Sequence, residues 1–336
     1  MDISISQANQ STTVKDVFKS VRINYVDYLK AFSIFGVVWI HSVSCPDWLT
    51  PMLVDIIFFF LSGIFFKRSS FKTFLLKKVN RILIPFFIFY FLYYPYRMIW
   101  HYWDFRTMSN FEWQRISDFL LGGDITTLPG LWFLFSLFLI QVFFYFLSYL
   151  DKRLIAILSI FILFYIKPIF LLHWPYLTST SICCFSYFAL GNLFGQQLLI
   201  FLNSNKNKFC AIIVCVVLFF ALYQIQDGTL GDQLRLLVDQ LTAFVACVFS
   251  LSVLSFFNKS NRLDILLFFG KNTLAMLCIH VSILRFFTRF FNKILEEPTP
   301  IIGFISTLAT FAIGYFIIIF LNKKMPYLVG KVDLIK

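Results

Sequence analysis

"DYLKAFSIFGVVWIH", residues 27–41, carries three ionisable side chains on an otherwise apolar stretch. Asp27 and Lys30 stand at its start and His41 at its end. Charged groups in hydrocarbon are costly and usually mark function, so a plain membrane anchor has no use for them. At about 100° per residue, the steps from Lys30 to His41 make three turns plus about 20°. The two side chains therefore share one helix face, about 16 Å apart along the axis.

The whole chain supplies the membrane. Of 336 residues, 59% are hydrophobic and 14% charged, and the mean hydropathy is +0.79. Soluble domains are about 25% charged. The net charge of +12 raises nucleic acid as a partner. The basic residues instead fall in short segments between apolar runs, the pattern of membrane topology, which argues against nucleic acid. The seven cysteines form no pair of CxxC motifs and read as packing residues, so no metal is expected.

About 20 apolar residues cross a bilayer. On that basis the fold class is all-α: a polytopic membrane protein with about ten transmembrane helices. They fall near 26–45, 49–66, 82–100, 128–149, 154–172, 180–202, 209–225, 236–257, 265–285 and 301–321. A polar N-terminal segment (1–22) precedes the membrane domain (23–322), and a basic tail (323–336) follows. Lys15, Lys19, Arg22, the basic loop 67–81 ("KRSSFKTFLLKKVNR") and the tail all fall on one side, which places both termini in the cytoplasm. The outer loop 101–127 reads as an interfacial helix, and His101 and His173 as members of an aromatic belt. No transporter-like inverted repeat is visible.

"LVDIIFFFLSGIFF" (53–66) places Asp55 about as far from the turn 46–48 as His41 is. Antiparallel neighbours should bring the two together, and a carboxylate on imidazole fixes the tautomer of a base. Ser62 falls on nearly the same face as Asp55, and Gly63 permits close helix approach. Lys77, Lys78 and Arg81 lead into the third span. They read as topology determinants, and equally as partners for a phosphorylated ligand. Lys30 alone reads equally well as a snorkelling anchor paired with Asp27.

These residues occur in a telling order: Asp-x-x-Lys-x10-His, Asp-x-x-Phe-Phe-Phe-x-Ser-Gly, Lys-x-x-Arg-x-x-x-Pro, "LPGLWFLFSLF" (128–138) and "FGKNTLAMLCIH" (269–280). The chain resembles acyltransferase family 3, the multi-spanning bacterial O-acyltransferases, closest to single-domain members like fucose 4-O-acetylases. The resemblance covers about residues 22–321. It implies His41 as catalytic base and Lys30 and Arg81 as donor-binding residues. Ser62 and Gly63 fall on a motif element, Trp132 on the tryptophan element and His280 on the late histidine. Many members have arginine where this chain has Lys30. Some have a glutamate after the tryptophan element, where Gln141 is the first sizeable polar side chain here.

The reading that follows is an inner-membrane O-acetyltransferase of bacterial surface glycan, such as O-antigen, or of its lipid-linked precursor. Acetyl-CoA is the donor that the resemblance implies. Asp55 orients His41, and Lys77 and Lys78 join Lys30 and Arg81 at the donor phosphates. His280 sits near the outer end of its span. The partners are membrane lipids and the glycan acceptor. A glycolipid flippase or export protein is the rival reading.

Overall fold

The structure, a computed structural model, describes residues 23–42, 45, 56–108, 130–165, 178–226, 232–257, 263–295 and 299–335. Asp55, His173 and most of the 101–127 loop lie outside them, as does the N-terminal segment. Among the described residues every regular element is helical. Twelve α-helices run in order: α1 Asn24–Ile40, α2 Ile56–Ile64, α3 Phe71–Lys78, α4 Ile84–Phe105, α5 Leu131–Leu147 and α6 Lys152–Phe164. After them come α7 Thr178–Phe201, α8 Asn205–Gln226, α9 Asp232–Leu254, α10 Asp264–Lys271, α11 Thr273–Leu295 and α12 Pro300–Lys324. Among the described residues, six stretches are long and apolar enough to cross a membrane: 71–103, 181–201, 205–225, 237–257, 273–294 and 300–324.

α1 is the central helix. It is apolar on nearly every side and buries Tyr25, Tyr28, Leu29, Ile34 and Val38, as expected for a helix surrounded by others. α10, α9, α11, α12 and α2 pack around it. At 17 residues it is only about 25 Å long, against about 34 Å for the 23 residues of α11. α2 and α7 meet backbone to backbone. A Cβ on Gly63 would lie 1.9 Å from the Phe188 carbonyl oxygen, and one on Gly191 2.0 Å from that of Phe60. Only hydrogen fits at either position, and the close approach lets Asn192 donate to the Gly63 carbonyl at 3.2 Å.

Two of the expected boundaries are corrected. Most of the supposed loop 67–81 is helix: α3 runs through a π-helical turn, Val79–Leu83, straight into α4. Pro85 supplies the cause. It has no N–H for the Arg81 carbonyl and its ring crowds that oxygen, and a wider turn relieves both. The second correction concerns the span 265–285, which is broken at Asn272 (φ −122°, ψ 24°). The Asn272 amide donates to the Phe268 carbonyl at 2.7 Å, and a side chain competing for backbone in this way ends a helix. The long helix is therefore 273–295, and His280 lies in its first half, not near its far end.

The final residues are docked. Asn80, in the π turn, accepts from the backbone N–H groups of Leu334 and Ile335, both at 2.8 Å. Its amide donates to the carbonyls of Leu76 and Ile335. Lys331 Nζ donates to Asn272 Oδ1 at 2.6 Å, and Gly330, at φ +66°, lies against the backbone of Arg81.

Candidate active site

His41 is the C-cap of α1, so its ring stands just beyond the last helical turn. It stacks on His280 of α11, with ring centroids 5.4 Å apart and planes inclined by 27°. His280 is fully buried. Its Nδ1 faces two carbonyl oxygens, Leu277 at 2.7 Å and Met276 at 3.2 Å. A nitrogen between two acceptors must carry the hydrogen, so in the neutral ring Nε2 holds the lone pair. That Nε2 is buried with no hydrogen-bond partner among the described residues. Gly130 presses on the same ring from the start of α5. It sits at φ +83°, and a Cβ there would lie 2.8 Å from His280 Cε1.

One turn before His280, Leu277 lines the wall of a cavity of about 310 Å³ enclosed by α1, α2, α3, α5 and α11. Its apolar wall includes Ile34, Phe58, Phe133 and Leu134, and its polar groups are Lys30, Ser62, Lys78, Gln141 and Thr273. Ile34 lies two turns below His41 on α1, and Lys30 one turn lower. The cavity thus runs along α1 from two lysines to just beneath the imidazole pair. Neither histidine lines it. Lys30 donates to Asp27 at 3.3 Å, and Asp27 is buried. Gly270 of α10 packs directly on the Asp27 carbonyl, which fixes this end of α1.

The structure separates the expected site residues. His41 and His280 meet, and Lys30, Lys78 and Ser62 share the cavity. Lys77 and Arg81 are exposed and do not line it, and Lys78 lies over the Phe74 ring with Nζ 5.6 Å from its centroid. Gly63 serves the contact between α2 and α7. Trp132 is half-buried beside Phe133, with centroids 6.3 Å apart, and it is Phe133 that reaches the cavity. Asp55 is outside the described residues. Sequence reasoning missed Gly130 and Thr273 and gave Gln141 no place in the site. Gln141 is buried in the cavity wall, its Oε1 without a partner among the described residues. The only signal for Gly130 was the glycine of "LPGLW" itself, the residue type that takes a positive φ without strain.

The six long apolar helices among the described residues mark a multi-pass membrane protein. The family model described as an acyltransferase domain, Acyl_transf_3, matches residues 23–319. The chain therefore belongs to acyltransferase family 3 and is a membrane acyltransferase. Searches of the curated proteins and of the solved structures gave no significant match.

Proposed function

We propose that this chain is an O-acetyltransferase of the bacterial inner membrane, moving an acetyl group from acetyl-CoA to a hydroxyl of surface polysaccharide or its lipid-linked precursor. The observation that carries this reading is the stacked His41–His280 pair above a cavity that begins at Lys30 and Lys78.

Pockets for drug-sized ligands run from about 300 to 1,000 Å³, so a cavity of about 310 Å³ suits the slender acyl-bearing arm of the donor and not its nucleotide. The phosphates then rest at the mouth, where Lys30 and Lys78 are nearest and Lys77 and Arg81 add charge from outside. The donor supplies an activated thioester. His41 takes the proton from the acceptor hydroxyl as its oxygen bonds the acyl carbon. The carbon–sulfur bond breaks, and the departing thiolate recovers a proton from His41. General base catalysis of this kind contributes about 10²–10⁴-fold. His280 is a positioning residue: locked by two carbonyls and by Gly130, it gives His41 a fixed face to stack on. Ten spans with both termini cytoplasmic bring donor and acceptor in from opposite ends.

The test is transfer of radiolabelled acetyl groups in isolated membranes. Wild type should label glycan or lipid-linked glycan, and His41→Ala should not, at equal abundance. A flippase would label nothing in either case, and that result would overturn the proposal.

A further inference from the structure

Of the polar side chains that line the cavity, Gln141 alone is buried, at 4% exposure, and its Oε1 has no hydrogen-bond partner among the described residues. It stands on one stripe of α5 with Leu134 and Leu137, which line the same wall. A buried amide without a partner costs stability that a leucine at this place would not. The hydroxyls of Tyr25, Ser136 and Ser306 are also buried without partners among the described residues, but none of these residues lines this cavity. Gln141 therefore reads as a group whose partner enters the cavity from outside.

The helices around it fix its depth. α5 begins at Gly130, against the His280 ring, and α1 ends at His41, stacked on the same ring. The two helices thus run antiparallel along the cavity. Gln141 is eleven residues from Gly130, as Lys30 is from His41, about 16 Å in each case. Side chains tilt toward the N-terminus of their own helix. Lys30 therefore leans out toward the mouth, where it meets Asp27 one turn earlier, and Gln141 leans back toward the histidines. Between Gln141 and the imidazole pair the wall is apolar, with Ile34, Phe58, Phe133 and Leu134.

We infer that Gln141 is a donor-binding residue that reads an amide of a 4′-phosphopantetheine arm, the part common to coenzyme A and to acyl carrier proteins. From thioester sulfur to phosphorus that arm has about thirteen bonds, about 16 Å when extended at about 3.8 Å per three bonds. The rise from Lys30 to His41 is the same, so an arm with its phosphate at the lysines brings its thioester to the imidazole pair. The amide nearer the phosphate lies about six bonds, about 8 Å, from phosphorus, in the direction in which Gln141 leans. An amide carries both an N–H and a C=O, so it satisfies the Gln141 side chain whichever way that side chain is turned. An alkyl chain supplies neither, and a buried polar group left unpaired is how a site rejects a close analogue. This inference deepens the O-acetyltransferase reading and rests on it for the thioester, while binding of the arm is measured without any transfer.

Purified protein in detergent is titrated with coenzyme A, with 4′-phosphopantetheine, and with a phosphopantetheine analogue whose amide N–H nearer the phosphate is replaced by CH2. Wild type should bind the analogue about tenfold more weakly than the native arm, the loss of one hydrogen bond. Gln141→Leu should bind the native arm about tenfold more weakly than wild type does, and the analogue no more weakly than that, so the two changes do not add. Undiminished discrimination by Gln141→Leu would make Gln141 a packing residue. An analogue that wild type binds as well as the native arm would overturn the inference whether or not the variant folds. Acyl carrier protein with and without its arm is titrated in parallel. Binding of the armed form alone, weakened by Gln141→Leu, supports the same site and assigns the arm to a carrier protein. Failure of wild type to bind any of these arms sinks the proposed donor, and the role of Gln141 with it. The expected pattern in a protein that transfers no acetyl group sinks the enzymatic reading and leaves the arm's site standing.

Discussion

His280 Nδ1 sits between two carbonyls, which gives each nitrogen of the ring a separate test. His280→Asn keeps a donor near the Leu277 carbonyl but removes the atom at Nε2 and the ring face against His41. A purely structural histidine would be rescued by asparagine. A positioning one would not, and acetyl transfer should fall at least about tenfold with His280→Asn while abundance and thermal stability hold. His41→Ala should cost about 10²–10⁴-fold in turnover and little in donor affinity. Gly130→Ala tests the same ring from outside. Its backbone at φ +83° costs a residue with a side chain about 1–3 kcal/mol, and the new methyl group must push His280 aside. Turnover should therefore drop further than the melting temperature suggests, and equal losses in both would make Gly130 a folding residue only. At this scale the sequence marked His41 and the motif containing His280, because histidines stand out on apolar helices. It could not show that the two stack, since nothing local encodes a contact between residues 41 and 280.

Helix contacts obey a coarser logic, read in part from composition. Glycines mark close approach in membranes, and Gly63, Gly191 and Gly195 are where α2 and α7 touch. Gly63→Ala would put its methyl group 1.9 Å from a backbone oxygen that cannot rotate away. The cost belongs at or above the upper end of the roughly 1–3 kcal/mol typical of overpacking, and thermal unfolding in detergent should show it as a large fall in midpoint. An unchanged midpoint would mean that the helices separate freely there. The sequence also hid two elements. The break between α10 and α11 falls on Lys271–Asn272, a polar pair inside a longer apolar run, but the bond from the Asn272 amide to the Phe268 carbonyl that ends the helix is not legible from hydropathy. The docking of residues 330–335 on Asn80 is equally invisible, because it depends on backbone groups that every residue has. Asn80→Ala removes its four hydrogen bonds, each worth about 0.5–1.5 kcal/mol. Amide exchange at Leu334 and Ile335 should then accelerate, while exchange in α1 stays slow.

Across the whole molecule the chemistry is spread along one axis, with lysines at one end of the cavity and histidines beyond the other. That separation predicts that donor binding and transfer can be lost independently. Lys78 lines the cavity, whereas Lys77 and Arg81 face outward. Lys78→Ala should then weaken coenzyme A by about 10- to 100-fold, the equivalent of a lost charge-assisted bond of about 1.5–3 kcal/mol. Lys77→Ala and Arg81→Ala should cost less than about fivefold, as exposed charges do. Lys30 needs a different control. Its removal strips Asp27 of its ion pair 3.3 Å away, and Asp27 is buried, so Lys30→Ala threatens the fold as well as the ligand. Lys30→Arg retains the charge and should bind coenzyme A nearly as wild type does. Isothermal titration across a salt series reads all five variants. Affinity in wild type should fall as salt rises, and less steeply in Lys78→Ala, where one attraction is already gone. His41→Ala, titrated alongside, should follow the wild-type curve throughout. If Lys78→Ala binds like wild type while Arg81→Ala does not, the donor phosphates lie on the outer rim, and the cavity takes the acyl arm by some other entrance.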